Sequence, residues 1–361
     1  MDSTSALQEF THFDRAYLDD LPEFRVGHAE NEEAATGCTV VLALDGAVCS
    51  VDVRGGGPAT RETDLLKPEN MVEKIHGVVL SGGSAFGLEA ATGVMRELAK
   101  RKVGFELCGL YVPIVVGACL FDLPYGKPDH PTAQMGVEAT LKALDESHNA
   151  TNPFSHLLKE GNVGAGCGAT VGKMLSPDQA MKSGLGIYGV RCGNVIALAI
   201  VAVNALGTVC LPDGAPLAGH RNPQNNIMNP FVPVIESMTQ DESAQSQEEG
   251  SEDNFCKNTT IGVVLTNAVL TKAQCQKVSS ITHDAYARTI KPVHTSADGD
   301  TIFTMTSGKV SASFDLVAVM ATEAMQGAIL RAVCTAHQAC GLPAASDLRP
   351  DLCATILNSL E

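Results

Sequence analysis

The feature that most constrains this chain is an abrupt change of character at residues 258–259. Between Glu236 and Asp253 there are seven acidic residues and no basic residue. Such a segment buries too little apolar surface to offset its ordering entropy, so we expect a mobile surface loop over 236–257. The run Thr259–Leu265 follows, and its β-branched and apolar residues predict a buried strand. A mobile loop thus delivers the Asn258–Thr259 bond to a rigid strand.

A chain cut at this bond would give Thr259 a free α-amino group. That residue would then carry both a hydroxyl nucleophile and a base, because an α-amine with a pKa of about 8 accepts a proton near neutral pH. The alternative is ordinary, since Thr is common at the start of strands. The stretch alone leaves both interpretations open.

Composition limits the class of protein. The 361 residues carry a net charge of −16, which argues against binding nucleic acid or an anionic membrane. The twelve Cys form no Cys-x-x-Cys pair, and the ten His show no His-x-x-x-His spacing, so we expect a reducing compartment and no metal site. The start of the chain is polar, with no apolar run. We therefore expect a flexible lead-in over 1–23 and a cytoplasmic protein without a signal peptide or membrane span.

The first third of the chain shows a hairpin signature followed by a glycine-rich loop. Asp45-Gly46 separates two β-branched runs, which predicts a hairpin over residues 39–53. The segment Arg54–Glu62 then contains three successive Gly and a Pro. This pattern predicts a loop whose backbone is open to close approach.

A second glycine-rich turn lies between a short apolar strand and a helix, at Gly82, Gly83 and Ser84. Open backbone amides there can serve a substrate carbonyl or a phosphate, or can simply allow close packing. The spacing fits neither a dinucleotide-binding fingerprint nor a Walker sequence. Nucleotide binding is therefore disfavoured.

Four polar residues interrupt or follow apolar and glycine-rich runs. Lys173 emerges from a run of small residues, which predicts partial burial and a partner, although a solvated Lys is the ordinary alternative. Asn204 ends an apolar strand and either points its amide into a cleft or caps the next turn. Asp298 and Asp300 lie in a turn before a strand, where solvated acids are common.

Seven motifs occur in a characteristic order, at Val51–Thr63, Leu80–Leu88, Val112–Val115, Val163–Ala169, Val203–Gly207, Asn258–Ile261 and Asp298–Thr301. Together they resemble the DmpA-type aminopeptidases, which include L-aminopeptidase/D-amidase-esterases, β-peptidyl aminopeptidases and endo-type nylon-oligomer hydrolases. The resemblance covers roughly residues 24–345. It implies an α/β (α+β) fold of the Ntn-hydrolase type, a four-layer αββα sandwich forming one domain over 24–361. It also implies no cofactor and a homo-oligomer, with a tetramer suggested.

The resemblance further implies autocatalytic cleavage between Asn258 and Thr259, giving an α chain of 1–258 and a β chain of 259–361. Thr259 matches the N-terminal nucleophile, as in the nylon-oligomer hydrolases. One departure is Phe121, where a Tyr is often found, which removes a hydroxyl from the expected oxyanion site. The acidic segment before the cleavage site is also longer than the family pattern.

By the same resemblance, four positions match the active site of the nylon-oligomer hydrolases: Lys173, Asn204, Asp298 and Asp300. Lys173 would keep the Thr259 amine neutral through like-charge proximity. Asn204 would stabilise the oxyanion, together with backbone amides of the Gly82–Ser84 turn. The acids would orient the amine or receive a substrate ammonium group, and Ser296 is an alternative at the position where the peptidases carry Ser.

The function expected from this resemblance is hydrolysis of small peptides or amides through an acyl-enzyme. Two alternatives stay open at this point. The same Thr can pass an acyl group to an amine instead of water, which would make the protein an acyltransferase. A protein can also retain the fold as a binding or scaffold protein without catalysis.

Overall fold

The computed structural model describes residues 13–145, 159–244 and 258–361. The helices within these ranges are α1 (Glu89–Lys100), α2 (Ala133–Leu144), α3 (Phe231–Ala244), α4 (Lys272–Thr289), α5 (Phe314–Cys334), α6 (Ala345–Leu348) and α7 (Pro350–Ser359). The strands are β1 (Asp14–Ala16), β2 (Arg25–Asn31), β3 (Thr36–Val53), β4 (Ala59–Arg61), β5 (Lys74–Ser81), β6 (Phe105–Leu107), β7 (Leu110–Val112), β8 (Val115–Cys119), β9 (Thr170–Val171), β10 (Met181–Lys182), β11 (Leu185–Cys192), β12 (Val195–Asn204), β13 (Thr208–Cys210), β14 (Pro216–Ala218), β15 (Thr259–Ala268), β16 (Ile290–Lys291) and β17 (Thr301–Val310).

Within the described residues, ten strands form one hydrogen-bonded sheet in the order β1-β11-β12-β15-β17-β3-β5-β8-β4, with β2 paired to β3. Strand β15 runs antiparallel to β12 and parallel to β17. Strand β3 pairs with β17 at its C-terminal end and with β2 and β5 nearer its N-terminal end. Because β3 serves both groups of strands, the sheet folds over into two stacked halves.

Three hydrophobic clusters define the layers. The central cluster lies between the two sheet halves and includes Leu80 from one half and Ile200 and Val263 from the other. A second cluster joins the outer face of β12 and β15 to α4 and α5. A third packs Val79 and its neighbours against α1 and α2. The order helix, sheet, sheet, helix confirms the four-layer αββα fold predicted from the resemblance.

The two strands at the centre of the molecule explain the continuous apolar runs in the sequence. Every residue of β12 and β15 is buried, because one face packs on the other sheet half and the other face packs on helices. Helix α5 is long and apolar enough to cross a membrane, but 83% of its most apolar window is buried inside the protein. It is therefore a core helix in this fold.

The lead-in predicted over residues 1–23 is partly integral to the sheet. Strand β1 pairs with β11, and the Arg15 guanidinium donates a hydrogen bond of 3.1 Å to the carbonyl of Gly189. Ala16 and Leu21 are fully buried in the central cluster. Their apolar side chains fill the gap between the sheet halves, which a purely compositional argument overlooked. Residues 1–12 lie outside the described residues.

Two further expectations differ from the structure. The mobile loop predicted over 236–257 begins inside α3. Just before this helix, Asn229 Oδ1 accepts from the Phe231 amide at 3.1 Å. The rest of that prediction, 245–257, lies outside the described residues. The hairpin predicted at Asp45-Gly46 is wrong, because β3 continues through it. Pairing of β3 with β5 shifts register there, and Gly46 has a φ of +74°, so the Asp-Gly pair forms an irregularity within one strand.

Candidate active site

Thr259 lies where the central strand of the sheet begins. It is the first residue of β15, and its register partner is Asn204, the last residue of β12. Thr259 is 3% exposed, and Asn204 and Asn258 are fully buried. Since β17 runs parallel to β15 and begins at the same end, the turn before β17 meets these two residues. Three elements distant in sequence therefore converge on the Asn258–Thr259 bond.

The uncut bond is held by the turn that precedes β17. The Asn258 amide donates to the Ala297 carbonyl at 3.1 Å, and the Gly299 amide donates to the Asn258 carbonyl at 2.9 Å. The Thr259 hydroxyl also donates to that carbonyl oxygen, at 2.5 Å. The hydroxyl therefore lies against the carbonyl group of the bond that was predicted to be cut.

Asn204 and Lys173 form one hydrogen-bonded pair beside Thr259. Lys173 Nζ donates to Asn204 Oδ1 at 2.6 Å and to the Asn204 backbone carbonyl at 3.2 Å. The Thr170 amide donates to the same Oδ1 at 3.1 Å. Asn204 Nδ2 donates to the Phe121 carbonyl at 2.9 Å. These bonds fix the Asn204 side-chain amide with its oxygen toward the Lys173 ammonium group. Lys173 is half-buried, so both the partial burial and the partner predicted for it are found.

The two acids of the turn are buried and have different partners. Asp300 Oδ1 accepts from the Thr260 amide at 2.8 Å, which ties the carboxylate to the start of β15. Asp300 Oδ2 accepts from the His294 amide at 3.2 Å and lies 2.8 Å from His294 Nδ1. Since Asp300 is only 1% exposed, the surface location that is usual for turn acids does not apply.

Asp298 is anchored within the turn itself. Its Oδ2 accepts from the amide of Thr295 at 2.8 Å and from the hydroxyl of the same residue at 2.7 Å. Burial and, next, the charge of the nearby Asp300 raise the pKa of Asp298 to about 6, although the Thr295 hydrogen bonds and Lys173 act in the opposite direction. Asp298 can therefore exchange a proton close to neutral pH.

Sequence reasoning missed His294, the imidazole that contacts Asp300. Its ring lies 4.8 Å from the ring of His283 and 6.1 Å from that of Tyr286, measured between centroids. Burial lowers the pKa of His283 to about 4. His294 has a φ of +58°, an unusual conformation for a residue other than Gly. The position of His294, six residues before Asp300 in the same polar stretch, was the available signal.

The Gly82–Ser84 turn does not present free amides to a substrate. The Gly82 amide donates to the Gly37 carbonyl, and the Ser84 amide donates to the Leu120 carbonyl, both at 2.9 Å. The Gly83 amide donates to Asp122 Oδ1 at 2.6 Å. The expectation that this turn supplies oxyanion donors therefore needs correction, because its three amides have protein acceptors.

Asp122 is a third buried acid near the site, and sequence reasoning did not single it out. Its Oδ2 accepts from the Thr36 hydroxyl at 2.8 Å, and burial raises its pKa to about 6, with Lys173 acting in the opposite direction. It directly follows Phe121, whose carbonyl holds Asn204. Ser296, by contrast, is exposed on the turn surface. The geometry thus favours the carboxylate pair over Ser296 as the part of the turn that meets Thr259.

Together these groups can perform acyl transfer at a carbonyl. A hydroxyl lies against an amide carbonyl, a backbone amide donates to its oxygen, and a lysine and two carboxylates lie nearby. Within the three described ranges, no three His, Cys, Asp or Glu side chains are grouped as metal ligands would be. The contact between the Thr259 hydroxyl and the Asn258 carbonyl indicates nucleophilic chemistry by Thr259.

Comparison with known proteins places the chain in a family. It matches the model of peptidase family S58 over residues 17–345. An uncharacterized aminopeptidase of Mycobacterium leprae is 35% identical, with 94% of this chain and 96% of that protein covered. A 6-aminohexanoate-oligomer endohydrolase of a Kocuria species is 27% identical, with 87% of this chain and 84% of that protein covered.

Solved structures agree on the fold. A Burkholderia β-aminopeptidase superposes with a TM-score of 0.63 at 17% identity, over 96% of this chain and 95% of that one. The L-aminopeptidase D-Ala-esterase/amidase of Ochrobactrum anthropi, described as a variant of the Ntn hydrolase fold, superposes with a TM-score of 0.62 at 16% identity, over 94% of this chain and 93% of that one. The family match and the Mycobacterium relative both span most of the sequence, and the chain therefore belongs to peptidase family S58, the DmpA-type aminopeptidases.

Proposed function

We propose that this protein is a self-processing amide hydrolase whose nucleophile is Thr259. The observation that carries the proposal is the contact of 2.5 Å between the Thr259 hydroxyl and the carbonyl oxygen of Asn258, in a buried site beside Asn204 and Lys173. This contact places the hydroxyl beside the carbonyl group whose carbon it would attack. The same residue, once freed, has both groups that an N-terminal nucleophile needs.

The first reaction converts the precursor. The Thr259 oxygen forms a bond to the Asn258 carbonyl carbon, the carbon–nitrogen bond breaks, and the hydroxyl proton ends on the Thr259 nitrogen. The product is an ester between Asn258 and the Thr259 oxygen, with a free amine. Water then hydrolyses the ester, which leaves a carboxyl group on Asn258 and restores the hydroxyl. The mature protein consists of residues 1–258 and 259–361.

The second reaction is turnover of substrate. The free Thr259 amine accepts the hydroxyl proton while the oxygen bonds to the carbonyl carbon of a substrate amide. The substrate carbon–nitrogen bond then breaks, and the proton passes to the leaving amine. Water hydrolyses the resulting acyl-enzyme, which releases the acid and restores the hydroxyl. Lys173 lies on the Asn204 side of Thr259, and its positive charge disfavours protonation of the amine. The Asn204 NH₂ group donates one hydrogen to the Phe121 carbonyl, and its second hydrogen is the oxyanion donor during turnover.

Asp300 positions the strand next to the nucleophile, and Asp298 contributes a negative charge to the site. Asp300 holds the amide of Thr260 at 2.8 Å and so fixes the strand immediately after the nucleophile. Asp298 balances the positive charge of Lys173 in a buried site, and its carboxylate suits a substrate ammonium group. This charge pattern supports aminopeptidase action on small peptides or amides. The names of the relatives, aminopeptidase and 6-aminohexanoate-oligomer endohydrolase, support the same class of substrate.

The test is intact mass spectrometry with N-terminal sequencing of the purified protein. The wild type should give two chains, the smaller one beginning at Thr259. Thr259→Ala should remain a single chain of 37.7 kDa without amidase activity, and Thr259→Ser, which keeps a hydroxyl, should still be cut. Thr355→Ala, an exposed helix position, is the matched control and should behave as the wild type.

Two results would contradict this proposal. One is active protein that consists of a single uncut chain, and the other is normal cleavage of Thr259→Ala. Adding an amine acceptor to the assay separates hydrolysis from acyl transfer, because an acyltransferase would yield the new amide instead of the free acid.

A further inference from the structure

We infer that the backbone amide of Gly299 is the oxyanion donor of the self-cleavage step, and that the loop Arg54–Gly57 holds it in position. The inference rests on the proposed self-processing and adds the group that stabilises its transition state. It concerns the precursor reaction, whereas Asn204 was assigned to substrate turnover.

The first argument is geometric. When Thr259 attacks, the Asn258 carbonyl oxygen becomes an oxyanion, and Gly299 N already lies 2.9 Å from that oxygen. This distance is within the 2.7–3.1 Å expected of an oxyanion donor. The hydrogen bonds of the Asn204 side chain run instead to Lys173, Thr170 and Phe121. In the precursor, the donor at the reacting carbonyl is therefore the amide of the turn.

The second argument is the way in which the turn is supported. The Arg54 amide donates to the Asp300 carbonyl at 3.0 Å, and the Gly56 amide donates to the Thr295 carbonyl at 3.3 Å. These bonds hold both ends of the turn that carries Gly299. The loop predicted from sequence to be open to close approach is therefore packed backbone to backbone against the cleavage site.

The packing of this loop against the turn leaves no room for a side chain at Gly55. A Cβ on Gly55 would lie 2.1 Å from the Asp298 carbonyl oxygen and 2.6 Å from the Asp300 nitrogen, both backbone atoms. An Ala at residue 55 must therefore displace the turn. A Cβ on Gly57 would meet only the Asp298 oxygen, at 3.9 Å, which is an ordinary contact. The two glycines of one loop thus make a matched pair.

The decisive experiment removes the donor and nothing else. Replacing Gly299 by glycolic acid through nonsense suppression turns its amide into an ester, which deletes the N–H without adding an atom on the side of Thr259. We expect self-cleavage of the full-length chain to slow by about 100- to 1,000-fold, as loss of one oxyanion donor does. The same replacement at Gly109, an open hairpin turn, should leave the rate unchanged.

The glycine pair provides the second test. Purified Gly55→Ala precursor should be cut at least about tenfold more slowly than Gly57→Ala, when both are followed by intact mass. Cleavage of the Gly299 ester variant at the wild-type rate would overturn the inference, whatever the glycine pair shows. A wild-type protein that is never cut would instead overturn the proposed function. If Gly55→Ala fails to fold, as judged by circular dichroism, the ester variant alone decides.

Discussion

The two strands that flank β15 meet Thr259 in different ways. On the β12 side, Asn204 and Lys173 reach the site through side chains, joined by a hydrogen bond of 2.6 Å. On the β17 side, the turn before the strand reaches the site with the Gly299 amide at 2.9 Å, and with two buried carboxylates. The β12 side therefore contributes a positive charge and a side-chain amide. The β17 side contributes two carboxylates and a backbone amide.

This difference suggests that the two flanks serve different steps. The turn on the β17 side donates to the carbonyl of Asn258, so it acts on the bond that we propose is cut in the precursor. On the β12 side, Asn204 and Lys173 are the residues proposed to act during substrate turnover. Variants of the two flanks should therefore separate self-cleavage from turnover.

The largest effect on substrate turnover is expected on the β12 side. We expect Asn204→Ala to lower kcat about 100-fold, because it removes the proposed oxyanion donor and the side-chain acceptor of Lys173. Self-cleavage should fall much less, since Gly299 remains at the reacting carbonyl. Intact mass over time and kcat on a small amide measure the two steps, with exposed Asn70→Ala as the control. Equal losses in both steps would remove the distinction between the flanks.

A smaller effect concerns the charge of Asp298. Its pKa lies near 6 in the folded protein and at 3.8 ordinarily, so the native state binds this proton more tightly than the unfolded chain. The ionised form therefore costs stability above pH 6, and this cost disappears as the pH falls toward 4. We expect Asp298→Asn to raise the free energy of unfolding by about 2 kcal/mol at pH 8 and by little at pH 4.

Denaturant unfolding of uncut Thr259→Ala, with and without Asp298→Asn, measures this gain on a single chain. Turnover of the Asp298→Asn enzyme should fall, since the neutral side chain no longer balances Lys173. A variant that is less stable than its parent at pH 8 would show that Asp298 contributes through its charge to folding, contrary to the direction of its pKa.

The smallest effect is expected at His294, whose backbone amide and ring nitrogen both bond to Asp300. We expect His294→Ala to lower kcat/KM a few-fold, because the carboxylate keeps its bond to Thr260 but loses the imidazole. His294→Asn should recover part of the loss, since Asn offers a donor and tolerates a positive φ. Steady-state kinetics of the two variants measure the difference. Equal activity of both would indicate that the backbone amide alone holds Asp300.

The sequence predicted the β12 flank better than the turn. Asn204 and Lys173 stand out because each is polar at the edge of an apolar or small-residue run, and the structure brings the two together. The role of the turn depends on the backbone amide of Gly299 and on the close packing of Gly55 against the turn backbone. Contacts between backbone atoms do not require particular side chains, so a single sequence gives little indication of them. The hairpin predicted at Asp45-Gly46 is wrong for a related reason. An Asp-Gly pair is typical of a turn, but it cannot show that β3 continues through it because this strand pairs with β17 and with β5.

The strand order has a consequence for the protein after it is cut. Strands β15 and β17 belong to the piece that starts at Thr259, and they lie in the sheet between β12 and β3 of the other piece. The new chain end is created inside a continuous hydrogen-bonded ladder. Neither piece can dissociate without breaking the hydrogen bonds between β12 and β15 and those between β17 and β3. Scission should thus yield an inseparable heterodimer that migrates natively as one particle and resolves into two only under denaturing conditions.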